Sequence, residues 1–243
     1  MDRMNPFAEG PHYGPVLEPF LVRVVRANVK INPLLAPPND ATDDYLQWNM
    51  VFGTSNCHRS TDPRRSWIKG RGEPATHPRL SSLRIICHSF PGMITIQARD
   101  PKIGITCGEI LDRISHYLYG DVIRTEYDSI PRARKKTIYQ SYQHNRSTHP
   151  NVPGGSLGDG MRRLDYLCAD SMFGGIVQND NFVKDHCGDA LPCTYELKCL
   201  PNYPLTQQEL RDQQQRTREA ERARRARSRA SSRGSGSQSE TDE

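Results

Sequence analysis

The sequence has no apolar run of the roughly eighteen residues needed to span a bilayer. Its first thirty residues also lack an uninterrupted stretch of signal-peptide length, because Arg23 and Arg26 break the segment 20–29. Both absences predict a soluble intracellular chain, in the cytoplasm or nucleus and without membrane contact. Aromatic residues are scarce at 7%, and hydrophobic residues make up only 35%, so part of the length must be loop or disordered. Close cysteine pairs are missing too. The 7 cysteines are odd in number and irregular in spacing, which excludes a disulfide framework and predicts free thiols in a reducing compartment. Asn145-Arg146-Ser147 has the form of a glycosylation acceptor and Arg224-Arg225-Ala226-Arg227 that of a basic processing site, but both need a secretory context.

What the chain does have is an uneven distribution of charge. The net charge is +5, and residues 211–233 hold nine arginines against three acids, Asp212, Glu219 and Glu221. From residue 201 onward the large apolar side chains are Tyr203, Leu205 and Leu210, too few to offset the entropy lost on ordering. Thr206 and Glu209 could cap a helix there, yet Ala220, Ala223 and Ala226 make no apolar seam. Three regions are predicted: a partly disordered N-terminal arm (1–30), a single globular domain (31–200), and an Arg-rich low-complexity tail (201–243) that is disordered or frayed-helical. A domain of that core length buries roughly 70% of its unfolded surface and folds without staples.

Within the domain, residues 46–52 alternate Leu46, Trp48, Met50 and Phe52 against Gln47 and Asn49, the period of a half-buried strand. A long polar loop follows over 53–82. Residues 83–87 and 93–97 are short strands around Pro91-Gly92, a hairpin signal. Thr106 and Glu109 stand in capping-box spacing ahead of Ile110, Leu111, Ile114, Tyr117 and Leu118, one apolar helix face. A second helix starts near Pro131 and runs toward His144, with Ile130, Ile138 and Tyr142 as a thinner stripe. After a glycine- and proline-rich loop come segments 164–167, 173–177 and 194–200. The last alternates Tyr195, Leu197 and Cys199 inward against Glu196 and Lys198 outward. Strands and helices do not alternate regularly, so the fold class is α+β: a mostly antiparallel sheet with two main helices packed on one face.

The order of these landmarks resembles one family. Asn32-Pro33-Leu34-Leu35, Trp48, Pro74-Ala75-Thr76-His77-Pro78 and Ile105-Thr106 look like the fungal domain of unknown function 6699. So do Glu126-Tyr127-Asp128-Ser129-Ile130-Pro131, the basic helix ending near Arg146, and Met161-Arg162-Arg163-Leu164-Asp165-Tyr166-Leu167 leading to Phe173-Gly174-Gly175-Ile176. The resemblance covers about residues 31–200. It implies a shared fold unit, with no activity, cofactor or catalytic residue to carry over.

Several constellations invite chemistry and are set aside on their context. Gly154-Gly155-Ser156-Leu157-Gly158 has the pattern of a hydrolase nucleophile elbow, but residues 149–153 form no buried strand to precede it. The same glycines lack the lysine and hydroxyl of a phosphate loop. His186, Cys187, Cys193 and Cys199 offer four zinc donors, but their spacing suits packed free thiols better, so no metal and no cofactor is expected. Cys57-His58 and Cys87-His88 are single pairs with no third group to orient a catalytic histidine. Asp165, between Arg163 and Tyr166, reads as a structural ion pair or cap, with an arginine as the candidate partner, because a buried charge needs a partner.

The remaining signal is basic. Candidate contacts to a polyanion are Arg132, Arg134, Lys135 and Lys136 on the second helix, the pair Arg162 and Arg163, and Arg222, Arg224, Arg225, Arg227 and Arg229 in the tail. No aromatic residues are interleaved with the tail arginines, so sequence-indifferent, salt-sensitive binding is expected there. The sequence therefore reads as a non-catalytic interaction domain with a basic tail able to contact an acidic protein or nucleic acid. The alternative is an enzyme whose site is assembled from scattered residues.

Overall fold

The computed structural model describes residues 6–7, 14–38, 44–149, 151–189 and 191–202. Through these residues the chain is α+β, with five helices and several sheets whose pairings are mostly antiparallel. Its first elements are β1 (Val16–Leu17), α1 (Pro19–Val24), β2 (Lys30–Ile31), β3 (Leu46–Gln47), β4 (His58–Arg59), β5 (Thr76–His77) and β6 (Arg79–Leu80). Then follow β7 (Ser82–Cys87), β8 (Met93–Gln97), α2 (Cys107–Leu118), α3 (Arg124–Asp128), α4 (Arg132–Asn145), β9 (Met172–Val177), α5 (Asp180–Cys187) and β10 (Thr194–Leu200).

One four-stranded sheet, in the order β8-β7-β10-β9, organises the fold. β7 and β8 make the predicted antiparallel hairpin, with Ile85 opposite Ile94. The turn needs glycine at position 92, where φ is +86° and a Cβ would lie 2.6 Å from the Tyr117 hydroxyl. β10 enters between the hairpin and β9, parallel to β7 and antiparallel to β9. On the core face Leu83, Ile85, Ile94, Ile96, Tyr195 and Leu197 are buried with Ile110, Leu111, Ile114 and Leu118 of α2.

α2 begins where its capping box places it. The Glu109 amide donates to Thr106 Oγ at 3.3 Å, and Glu109 Oε2 accepts from the Thr106 amide at 2.8 Å, so two end donors are satisfied reciprocally. α4 follows Pro131, whose fixed φ leads into the helix, and packs against a 3-10 turn at Arg163–Leu167. That turn carries Asp165, fully buried, which accepts from Asn145 Nδ2 at 2.8 Å, Arg146 Nη1 at 3.1 Å and the Arg162 amide at 2.9 Å. The carboxylate is thus both ion pair and cap, joining the end of α4 to the turn.

Several elements differ from the sequence expectation. The strand expected over 46–52 pairs only through β3; beyond it, residues 48–50 turn to run along the edge of β9. Residues 53–82 contain β4, β5 and β6, and bury Trp67. Residues 164–167 are a 3-10 turn. Within the first thirty residues, β1 pairs in parallel with β6 and α1 is helical. α5, a helix of only 8 residues absent from the sequence expectation, covers the sheet face opposite α2. Glu196, expected to point outward, is therefore buried on that face and accepts from Asn179 Nδ2 at 2.6 Å and from Lys198 Nζ at 2.6 Å.

Candidate interaction site

The two outer edges of the main sheet are treated differently. On β9 the edge is covered by residues 48–50: the Phe173 amide donates to the Trp48 carbonyl and the Met50 amide to the Ser171 carbonyl, each at 2.8 Å. On β8, no strand among the described residues pairs with the outer side. The Ala98 amide donates to the Ser81 carbonyl at 2.8 Å, and the register places Gln97 opposite Ser82. An antiparallel ladder alternates, so positions 94, 96 and 98 bond to β7 while the amides and carbonyls of Met93, Thr95 and Gln97 face away from it. The side chains of Met93, Thr95 and Gln97 are exposed, whereas Ile94 and Ile96 fill the core.

Beside this edge lies an open groove of about 640 Å³, bounded by β8 on one side and by Glu109, Asp112, Arg113 and His116 of α2 on the other. Its charges are not equivalent. Both carboxylates are held within the fold. Asp112 Oδ1 accepts from Arg71 Nη2 at 2.6 Å and from Thr54 Oγ at 2.8 Å. Glu109 Oε1 accepts from the Arg99 amide at 2.8 Å, which ends the open stretch of the edge, while Oε2 serves the capping box. The basic side chains are freer. Arg113 Nε donates to the outward Thr95 carbonyl at 3.3 Å, and the exposed side chains of Arg99 and His116 have no hydrogen-bond or ion-pair partner among the described residues. The groove thus presents backbone donors and acceptors along one wall, with cationic donors at its ends and opposite.

The basic residues singled out in the sequence are not gathered into one patch. Arg134 turns inward and donates to the carbonyls of His88, Ser89 and Tyr166, fastening the hairpin turn to the 3-10 segment. Arg162 donates to the Leu157 carbonyl at 2.9 Å and to the Tyr119 carbonyl at 2.5 Å. Arg163 pairs with Glu126 at 2.8 Å, its guanidinium 4.7 Å from the Tyr117 ring centre. Lys135 sits over Tyr127, with Nζ at 4.8 Å from the ring centre. Arg132 and Lys136 remain exposed, with no hydrogen bond or ion pair among the described residues. Arg222, Arg224, Arg225, Arg227 and Arg229 lie outside the described residues.

The other candidates take ordinary positions. Ser156 sits in a short 3-10 turn and donates to the Pro153 carbonyl at 2.8 Å, with no strand among the described residues leading into it. Cys199 lies on β10 facing Cys87, and Cys187 ends α5. Among the described residues, no group of three or more histidine, cysteine or acidic side chains is placed to hold a metal ion. No helix there is long and apolar enough to cross a membrane. Sequence reasoning did not single out Arg99, Arg113 and His116. The available signals were the period-2 exposure of Met93, Thr95 and Gln97 and the basic pair at i and i+3 on the polar face of α2.

No curated protein and no solved structure matches the chain. A family model does match: residues 46–185, more than half of the sequence and including β7, β8 and α2 with the groove between them, fit the model described as Family of unknown function (DUF6699). The chain belongs to that family.

Proposed function

We propose that this protein is a non-catalytic interaction module for acidic partners, acting inside the cell in the cytoplasm or nucleus. Its folded part takes an extended acidic segment of a partner protein by strand addition along β8. The arginine-rich stretch 211–233 adds contact with acidic protein or nucleic acid that is indifferent to sequence. The observation that carries the reading is the outer edge of β8, which has no strand partner among the described residues, beside a groove lined by Arg99, Arg113 and His116. An added strand would gain main-chain hydrogen bonds to Met93, Thr95 and Gln97, while its alternate acidic side chains would meet the groove cations. Arg113 over the Thr95 carbonyl is the kind of charged cover that keeps an exposed edge from pairing indiscriminately, and a carboxylate on the incoming strand would draw it away.

Thr95→Pro separates binding from folding, because the lost amide faces away from β7 and proline is tolerated on such an edge. The probe is a labelled peptide of about seven residues alternating threonine and glutamate, with a threonine–lysine peptide as control. Saturable binding of the acidic peptide, weakened by about tenfold or more in Thr95→Pro and in Arg99→Glu at unchanged urea midpoint, is the expected result. Equal binding by the variants, preference for the lysine peptide, or no binding to either overturns the reading.

A further inference from the structure

At the ends of the two central parallel strands, two cysteine sulfurs meet. Leu197 stands beside Cys87 in the register of β7 and β10, and Cys199 is the next residue of β10 on that face. The Cys87 and Cys199 sulfurs lie 3.5 Å apart, the only pair of sulfurs within hydrogen-bonding distance among the described residues. We propose that Cys87 and Cys199 form an oxidation site at which a hydroperoxide closes a disulfide across the centre of the sheet. This proposal does not depend on the strand-addition reading.

The environment sorts the cysteines. The hydrogen bond from the Cys199 thiol draws Cys87 below the ordinary thiol range despite burial, and the Ser89 amide adds a donor at 3.3 Å. Cys199 is pushed up by the same hydrogen bond and by burial, so the pair gives up one proton readily and holds the second. Elsewhere burial pushes Cys57 up to about 12 and Cys193 up to about 11, and raises Cys107 and Cys168 as well. Those thiols are poor nucleophiles, and among the described residues none of them has a sulfur within hydrogen-bonding distance. Cys87 is nearly enclosed and Cys199 is partly exposed, so the proposed oxidant is one as small as hydrogen peroxide, reaching the pair from the Cys199 side.

The chemistry balances. The Cys87 thiolate attacks one oxygen of the peroxide and breaks the O–O bond; the sulfur becomes a sulfenic acid, and the leaving oxygen takes the proton given up by the thiol and departs as water. The Cys199 sulfur then attacks the Cys87 sulfur. Its proton goes to the sulfenic hydroxyl, which leaves as a second water, and the S–S bond forms. Two thiols are oxidised by two electrons in all and one peroxide is reduced. Closing the bond requires the sulfurs to approach from 3.5 Å to about 2.05 Å, within reach of side-chain rotation and a small backbone adjustment.

The test treats the full chain with one equivalent of hydrogen peroxide, blocks remaining thiols by alkylation, and maps the digest by mass. Two of the seven thiols should be lost in a single cross-linked peptide joining Cys87 to Cys199, and dithiothreitol should restore them. Cys87→Ser and Cys199→Ser should each abolish that cross-link, while Cys193→Ser keeps it. Retention of all seven thiols, a different cross-linked pair, or sulfinic and sulfonic products at Cys87 without a cross-link overturns the proposal. The wild-type map decides this even if a variant folds poorly.

Discussion

Asp165→Ala probes the junction between α4 and the 3-10 turn. The carboxylate is fully buried and accepts from Asn145, from Arg146 and from the Arg162 amide, while the Arg146 side chain is only 11% exposed. Truncation leaves three donors without their acceptor, one of them a cation that water barely reaches. The mutual attraction of a buried pair is largely cancelled by desolvation, so what counts here is the uncompensated remainder, and breaking such a pair from one side costs about 3–5 kcal/mol. Arg146 is not released by the loss, since it still donates to the Tyr142 carbonyl at 3.1 Å and to the Gly158 carbonyl at 2.8 Å and lies 4.0 Å from the Tyr142 ring centre. It therefore stays in place, unpaired. Asp165→Asn, which keeps one acceptor oxygen but places an NH₂ among donors, should fall between Ala and wild type. Urea unfolding of both variants, with Arg146→Ala and the double substitution to complete a cycle, measures the coupling directly. A loss below about 1 kcal/mol for Asp165→Ala, the scale of an exposed ion pair, would mean the site is solvated and refute the argument.

Ile114→Ala, at a fully buried position of α2, should cost about 2–5 kcal/mol in the same assay; a change below about 0.5 kcal/mol would remove Ile114 from the core. Stability should also fall as pH rises above about 9. Burial holds the Cys57 proton up to about 12 and the Cys193 proton up to about 11 in the folded chain, whereas the unfolded chain releases both near the ordinary thiol value, so the native state binds more protons across that window. Urea midpoints that stay flat from pH of about 8 to 10.5 would contradict this sign. Removing residues 206–243 should leave the unfolding midpoint unchanged, while RNA or DNA binding by the full chain should weaken steeply with salt and disappear on truncation. If the shortened chain binds as well, the relevant charge lies on the fold, at exposed Arg132 and Lys136 first. Phosphate on Ser237 or Ser239, each followed three residues later by an acid, should weaken polyanion binding further.

The parts of the fold legible in the sequence are those whose signal is local. The capping box at Thr106 and the apolar face through Ile114 mark α2, Pro91-Gly92 marks the hairpin, and alternation at Tyr195 and Leu197 marks β10. What was not legible depends on tertiary pairing. Strands of two residues, such as β3 and β4, are too short to show a period, and Trp67 is buried by its surroundings although its neighbours are polar. α5 is only 8 residues long and buries Val183 alone, so its apolar stripe is too short to stand out, and without it Glu196 reads as an outward residue. The parallel pairing of β7 with β10 joins segments far apart in the chain and leaves no local trace. The candidate site follows the same rule: that the outer edge of β8 has no strand partner among the described residues is a property of strand order, and composition alone does not tell which guanidinium turns inward, as Arg134 does, and which stays in water, as Arg132 does.

The position of β10 has a consequence in time. Of the described strands it is the last to leave the ribosome, yet it lies between β7 and β9 and is the partner both require. The Cys87–Cys199 contact spans 112 positions, so a nascent chain can form the β7–β8 hairpin and α2 early but must hold the inner edges of β7 and β9 unpaired until residues 194–200 emerge. Those edges carry Ile85 and Ile176, both fully buried once the sheet closes. A fragment ending at residue 185, where the family match stops, would keep that gap open for good. Such a fragment is expected to aggregate or recruit another chain into the vacancy, so the unit that folds extends through β10, beyond the stretch by which the family is recognised.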